Sequence, residues 1–254
     1  MVEERQNTKE GRGDRIGVAA NVVGRAWWFR FPGVCKDGIS IMERTRTTAE
    51  KTILEFIKET PKAMYDIGVG IYAEWETLKL AFPSMEVFGC EPHPGEFQVL
   101  EPIYTGMLWQ IGVGETSGKK ILYLSETSEG RSSLLPYTGG NIAEVDIVTL
   151  DEFDAMAGKP DKILLWMDIE GGELSALKGG TELLSSGRVE WINLETRNWV
   201  PQNFVDMGYP VTSQIDEYLA KFGYVHTLRY NIQGITAPDS PAPGDVIYLK
   251  SLTT

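Results

Sequence analysis

The sequence predicts an α/β fold, a mostly parallel sheet with helices on both faces and an antiparallel pair of strands at one edge. Three observations carry this. From residue 61 onward, short apolar runs bounded by turn residues alternate with amphipathic stretches. The run "AMYDIG" opens into a glycine turn, Gly68-x-Gly70, and then a helical stretch, which is how a parallel strand of such a sheet presents a ligand to a helix. The last two apolar runs, "YVHTLRY" and "DVIYLK", are joined by a Pro/Gly-rich loop with no helix between them, so they pair antiparallel.

Taken in order, residues 1–15 are polar and form a mobile leader. Residues 16–60 form an N-terminal extension that packs on the core, with two or three short strands in "RIGVAANVVGRAWWFRF" and "ISIME" and then a helix. That helix starts near Thr48, sets Ile53, Leu54 and Ile57 on one face, and stops before Pro61. The main domain spans 61–254. Its strand "AMYDIG" leads to helix "AEWETLKLAF", strand "MEVFGCE", a helix after Pro94, short strands in "LWQIGVG" and "KKILYLSE", and a loop over 125–140. "AEVDIVTLDEF" is a strand running into a helix, "DKILLWMDIEG" is the most apolar strand, and "GELSALKGGTELLSS" is one helix closed by Gly187. "RVEWINLETR" is the next strand, and helix "SQIDEYLAKFG" ends at Gly223 before the final strand pair.

Composition narrows the function. The formal charge of -12 opposes binding to a polyanion, so a nucleic-acid partner is not expected. Basic residues near the start, Arg5, Lys9, Arg12 and Arg15, read as part of a solvated leader. Two cysteines, Cys35 and Cys90, make no disulfide framework and are read as reduced and buried. No apolar run is long enough to span a membrane and the first residues lack a signal-peptide core, so the expected compartment is the cytoplasm.

In an open α/β sheet the ligand lies outside the carboxyl ends of the parallel strands. Here those ends are acidic: Asp66, Glu91, Asp168 with Glu170, and Glu195. Glu91 lies 91 − 68 = 23 residues past Gly68, where a carboxylate accepts hydrogen bonds from both hydroxyls of a ribose. Gly68-x-Gly70-x-x-Ala73 also satisfies the pattern for a dinucleotide, which would make the chain an NAD-dependent oxidoreductase. Asp66 decides between them. A carboxylate aimed at the glycine loop suits the sulfonium and ammonium of S-adenosylmethionine (SAM) and repels a pyrophosphate. In "LLWMDIEGGELSALKGG" a buried strand delivers Asp168 to the sheet edge, and Glu170 and Glu173 open a helix whose first turn favours carboxylates. His93 follows Glu91 by two positions and is read as turn packing rather than a ligand.

"YDIGVGIYAEW", "VFGCEPHP", "IGVGETSGKKILYLSETSEGRSSL", "VTLDEF", "DKILLWMDIEGGELSALKGG" and "WINLETR" together resemble the FkbM-like family of SAM-dependent methyltransferases over about residues 63–197. The resemblance implies a Rossmann-like class I methyltransferase fold, a seven-stranded sheet with an antiparallel last strand, SAM as cofactor, and O-methylation of a small-molecule or carbohydrate hydroxyl. On this reading the cofactor-binding set is Asp66, Gly68, Gly70, Tyr72, Glu91, Pro92, Gly112 and Asp168. The catalytic set is Asp168, helped by Glu170 or Glu195, as the base that takes the acceptor's proton. A Mg²⁺ ion held by Asp168 and Glu195 is the less favoured alternative, and no dedicated metal-ligand spacing is present. A SAM-binding module without catalysis is another. Three positions depart from the family pattern: Gly70 and Tyr72 stand where it commonly has Asn and Gly, and Trp166 where it tends to have Lys. Acceptor contacts are expected from Arg25 to Phe31, Ser125 to Gly140 and Arg197 to Met207, with Tyr137 and Trp199 able to stack on a sugar. The sequence does not set the oligomeric state.

Overall fold

The computed structural model describes residues 48–70, 74–125, 131–136, 140–230 and 242–251. Contacts divide the chain into residues 1–44 and 45–254, and the account below concerns the second unit. The expected leader, N-terminal strands, Tyr72, Tyr137 and the Arg25 to Phe31 acceptor segment lie outside the described residues.

Strands β1 (Ala63–Ile67), β2 (Glu86–Cys90) and β3 (Met107–Trp109) alternate with helices α2 (Glu74–Ala81) and α3 (Pro94–Leu100), after a first helix α1 (Thr48–Phe56). β4 (Gly112–Gly114), β5 (Gly118–Tyr123) and β6 (Ile142–Thr149) follow, then α4 (Leu150–Met156), β7 (Ile163–Met167), α5 (Glu173–Lys178), α6 (Thr181–Ser185) and β8 (Val189–Thr196). The chain continues through α7 (Gln202–Asp206), α8 (Thr212–Ala220), β9 (Tyr224–Tyr230) and β10 (Gly244–Lys250).

Seven strands form one sheet in the order β3-β2-β1-β7-β8-β10-β9. The pairs from β3 to β8 are parallel, and β10 runs antiparallel to both β8 and β9. The expected sheet with an antiparallel last strand is therefore present. β1 and β7 sit at its centre, and all five residues of each are buried, which explains the continuous apolar run of β7 and that of β1, interrupted only by Asp66. Side chains alternate between two cores. Tyr65, Ile67, Leu165 and Met167 face α4, α5, α6 and α8, while Met64, Leu164 and Trp166 face α1, α2 and the end of α3. Trp166 packs in this second core, against which Trp191 and Tyr230 also lie.

Three differences from the sequence reading have tertiary causes. "LWQIGVG" is split, because β3 extends the main sheet while β4 joins β5 and β6 in a separate three-stranded sheet. The helix expected over 172–186 breaks at Gly179 and Gly180. A Cβ on Gly179 would lie 2.2 Å from the Gly114 carbonyl oxygen, so β4 approaches the backbone there more closely than any side chain allows. α7 lies inside the stretch expected to be an acceptor loop, and none of its residues is buried, so it has no apolar period by which to be recognised.

Candidate active site

The carboxyl ends of β1, β2 and β7 are laced together by backbone hydrogen bonds. Gly68 N–H and Val69 N–H both donate to the Cys90 carbonyl (3.0 and 3.2 Å), and Asp168 N–H donates to the Ile67 carbonyl (3.1 Å). Gly68 has φ +81°, and a Cβ there would lie 2.2 Å from the Asp168 carbonyl oxygen, so only glycine fits this crossing. Gly70 has φ +54°, again in the left-handed region. The turn thus leaves bare backbone beside Asp168.

Glu91 is 5% exposed and ties two loops together. One carboxylate oxygen accepts from Gly70 N–H (2.9 Å) and the other from His93 N–H (2.7 Å). Burial and the nearby charge of Glu96 push its carboxyl up to about 8. His93, read from the sequence as turn packing, caps α3: its Nδ1 accepts from Gly95 N–H and Glu96 N–H, both at 3.1 Å. His226 lies elsewhere, against Asp216 at 3.0 Å.

A cleft of about 560 Å³, open to solvent, runs along these loops. Of the eight residues expected at the cofactor, Gly68, Gly70, Glu91, Pro92, Gly112 and Asp168 line it. Asp66 does not. Its carboxylate lies beneath the glycine turn, 2% exposed, accepting a hydrogen bond from the Tyr104 hydroxyl (3.3 Å). Burial pushes its carboxyl up to about 7, and the Tyr104 bond opposes that shift. Tyr104 reaches it across Gly89, where a Cβ would lie 2.3 Å from the phenol oxygen. Pro92, Val113, Leu122 and Leu134 give the cleft an apolar wall, partly supplied by the three-stranded sheet.

Beyond Gly68 three carboxylates converge. Asp168, Glu170 and Glu195, the three residues read from the sequence as a catalytic set, each place a carboxylate oxygen within 4.8 Å of the others. Asp168 Oδ1 is buried with no hydrogen-bond partner. Burial, and then the charges of Glu195 and Glu170, hold the Asp168 carboxyl well above the usual carboxylate range. Glu170 is pushed up to about 7 by burial and the charge of Glu195, against Arg197 and Arg131, which pull the other way.

The turn that carries Asp168 and Glu170 is braced from several sides. Glu170 has φ +50°, a strained conformation for a residue with a side chain, which persists only where neighbours enforce it. The Ser133 hydroxyl donates to the Glu170 carbonyl oxygen (2.8 Å). Glu173, 2% exposed, accepts from Ile169 N–H (3.1 Å) and Gly171 N–H (3.2 Å), so it is a brace rather than a mere first-turn residue. Tyr209 packs over Gly171, where a Cβ would meet its ring at 2.5 Å, and its hydroxyl accepts from Arg197 Nε (3.0 Å). The Arg197 guanidinium stands 4.0 Å from the Glu170 carboxylate. Trp199 is 63% exposed, beside this arginine in the sequence.

Asp245 was not anticipated. It pairs with Glu195 in the β8–β10 register, accepts a hydrogen bond from Asn193 Nδ2 (3.0 Å), and is pushed up to about 7 by burial. Tyr104 and Glu96 carry no local sequence signal that distinguishes them from packing or surface residues, whereas Ser133 and Arg197 lie in the segments Ser125 to Gly140 and Arg197 to Met207 expected to contact the acceptor.

A model of the methyltransferase FkbM domain matches residues 66–225. Among solved structures, the chain is similar to a precorrin-6y C5,15-methyltransferase from Geobacter metallireducens, at 14% identity, 80% and 86% coverage of the two chains and TM-score 0.40. It is also similar to the plantazolicin methyltransferase BpumL bound to a desmethylplantazolicin analogue and S-adenosylhomocysteine (SAH), at 12% identity, 82% and 86% coverage and TM-score 0.45. A SAM-dependent methyltransferase from Aquifex aeolicus matches at 12% identity, 81% and 91% coverage and TM-score 0.42. No curated protein matches the sequence.

Proposed function

Because the chain belongs to the methyltransferase FkbM domain family, SAM-dependent enzymes with the Rossmann-like class I fold, we propose that it methylates a hydroxyl oxygen of a small molecule or sugar. The observation that carries this reading is Asp168 Oδ1, a buried acceptor atom with no donor, beside the glycine turn and within a cluster of carboxylates. A buried acceptor left unpaired is costly, and an acceptor hydroxyl donating to it would remove that cost.

The residues present fit SAM better than a dinucleotide. Gly68 and Gly70 expose backbone where the methionine end would lie, and Asp66, Glu91 and Asp168 surround that turn with negative charge suited to a sulfonium and an ammonium. A pyrophosphate needs free backbone N–H groups at such a turn. Here Gly70 N–H is already given to Glu91, and Gly68 N–H to Cys90. The apolar wall of Pro92, Val113 and Leu122 fits an adenine ring.

SAM, when bound, supplies a methyl group already activated by its sulfonium. The chain's own tasks are to orient the acceptor oxygen in line with it and to hold the proton that oxygen loses. Asp168 accepts that proton, and the neighbouring charges of Glu195 and Glu170, after burial, strengthen its hold on it. A raised carboxyl is a stronger base in its ionised form, which suits a hydroxyl of high pKa. Arg197 and Tyr209 border the acceptor side.

Methyl transfer to a panel of hydroxylated acceptors, read as SAH formation, tests this. Asp168→Asn should keep SAM binding and lose turnover, and full turnover in that variant would refute the assignment. The same three oxygens also suit a divalent cation such as Mg²⁺, which prefers carboxylate ligands. Under that second reading excess chelator abolishes turnover and Mg²⁺ restores it, whereas the proton-holding cluster works unchanged in chelator.

A further inference from the structure

Arg197 lies two positions past Glu195, and its guanidinium comes within 4.0 Å of the Glu170 carboxylate. Asp168 lines the cofactor cleft, whereas Glu170 and Arg197 do not. Asp168 therefore stands between a cofactor side and a side that holds the arginine.

Two ties fix Arg197 in place. Its carbonyl accepts from Thr212 N–H (2.8 Å) at the start of α8, and its Nε donates to the Tyr209 hydroxyl (3.0 Å), with the guanidinium 5.5 Å from the centre of that ring. Tyr209 is itself buried and packed over Gly171. A long side chain tethered in this way has little rotamer freedom left to lose when a ligand binds. Most of its donors are unspent. A guanidinium carries five N–H donors in a rigid fork. The Tyr209 bond uses the one on Nε, and at 4.0 Å the Glu170 oxygen is too far for a hydrogen bond. The two terminal nitrogens thus make no hydrogen bond among the described residues, and the side chain is 31% exposed, within reach of a ligand.

Resting on the O-methylation reading above, we infer that the acceptor is a hydroxy acid, its carboxylate taken by the terminal nitrogens of Arg197 while its hydroxyl reaches Asp168. The planar fork of a guanidinium matches the two oxygens of a carboxylate. A carboxylate brings one charge, which the arginine offsets. A phosphate brings up to two, and the second would face the three carboxylates of the cluster uncompensated. The separations, 4.0 Å from Arg197 to Glu170 and 4.8 Å at most between Glu170 and Asp168, place hydroxyl and carboxylate on one small unit, such as a uronic acid.

SAH formation with matched acceptors tests this: glucuronate against glucose, galacturonate against galactose, and lactate against propane-1,2-diol, with glucose 6-phosphate as the phosphate arm. In wild type at least one acid should exceed its neutral partner in kcat/KM by about tenfold or more, the scale of a hydrogen bond to a charged group. Arg197→Ala should bring that ratio close to one through KM, and Arg197→Lys, which keeps the charge but not the fork, should restore part of it. An arginine that only braces the Glu170 turn would instead lower acid and neutral turnover together through kcat, and that result would overturn the inference. So would neutral acceptors used as well as their acids, or glucose 6-phosphate used better than glucuronate. Should Arg197→Ala not fold, Arg197→Lys against wild type carries the same ratio. Methylation of neutral hydroxyls alone would overturn this inference and leave O-methylation standing. A protein that binds SAM yet methylates neither acids nor neutral acceptors would remove the O-methylation reading itself.

Discussion

Raising the pH from 5 to 7 should destabilise the ligand-free protein. The groups responsible are carboxyls whose folded pKa lies above the unfolded value: Glu91 at about 8, and Asp66, Glu170, Glu173 and Asp245 at about 7, with burial the first cause in each. An unfolded carboxyl ionises near 4, so between about 4 and 7 the folded chain binds more protons than the unfolded one. Stability is then greatest below the unfolded pKa and is lost as pH rises through the folded values. These groups feel one another's charge, as Glu91 feels that of Asp66, so the five shifts do not add. A single excess proton already gives a slope of roughly 1 kcal/mol per pH unit. For a domain of this size that is about 2–4 °C of Tm per unit. Thermal unfolding at constant ionic strength from pH 5 to 8 reads it directly. Asp245→Asn, which keeps the shape and removes the titration, should flatten the curve. A Tm that is level or rising between pH 5 and 7 would refute the burial argument.

Four further outcomes are expected. Gly68→Ala puts a Cβ 2.2 Å from a carbonyl oxygen at φ +81°, so SAH binding should be lost in calorimetry and Tm should fall. Arg188 makes two hydrogen bonds to Asp154 (2.9 and 2.5 Å), and Asp154 is 2% exposed and also accepts from the Tyr65 hydroxyl (2.7 Å). Arg188→Ala leaves that buried carboxylate without its cation and should cost about 3–5 kcal/mol in denaturant unfolding. Ser133→Ala removes the donor to the Glu170 carbonyl, so turnover should fall severalfold once an acceptor is found, while the Kd for SAH stays within about twofold. SAM, which carries the sulfonium that SAH lacks, should gain more affinity than SAH between pH 6 and 8, because the carboxylates around it ionise over that range.

Much of the fold was legible because the central buried strands are written as largely apolar runs, unbroken in β7 and interrupted only by Asp66 in β1. "ILLWM" and "AMYDI" are buried at every position, and helices on both faces are the environment that makes such a pattern stable. Sheet membership was not legible. β5 and β6 read as any half-exposed strands and β4 is a buried strand of three residues, and only the tertiary arrangement assigns them to a sheet of their own that walls the cleft. The break between α5 and α6 is visible as two glycines, but its cause, the approach of β4 at Gly114, belongs to residues 65 positions away (179 − 114). The braces of the turn that carries Asp168 and Glu170 were hidden for a similar reason. Ser133 and Tyr209 reach it through packing, and no spacing in the sequence links them to Glu170.

Asp245 shows where a rule of reading was too narrow. Inspecting the carboxyl ends of strands found Asp66, Glu91, Asp168 and Glu195, since each of those strands points its end at the ligand edge. β10 runs the other way, so the residue it brings to that edge is one at its start. Asp245 therefore sits opposite Glu195 and adds its charge to those that raise Asp168. The antiparallel last strand is usually read as a topological marker, yet here it has a chemical consequence: it lets a fifth strand contribute a carboxylate to the same edge. Without a cation this edge holds protons, which is why burial and mutual repulsion push its groups upward together. A ligand with two positive centres relieves that repulsion, and one with phosphates worsens it. The preference for a sulfonium thus rests on the summed field of the sheet edge, to which Asp66 contributes from beneath the turn without lining the cleft.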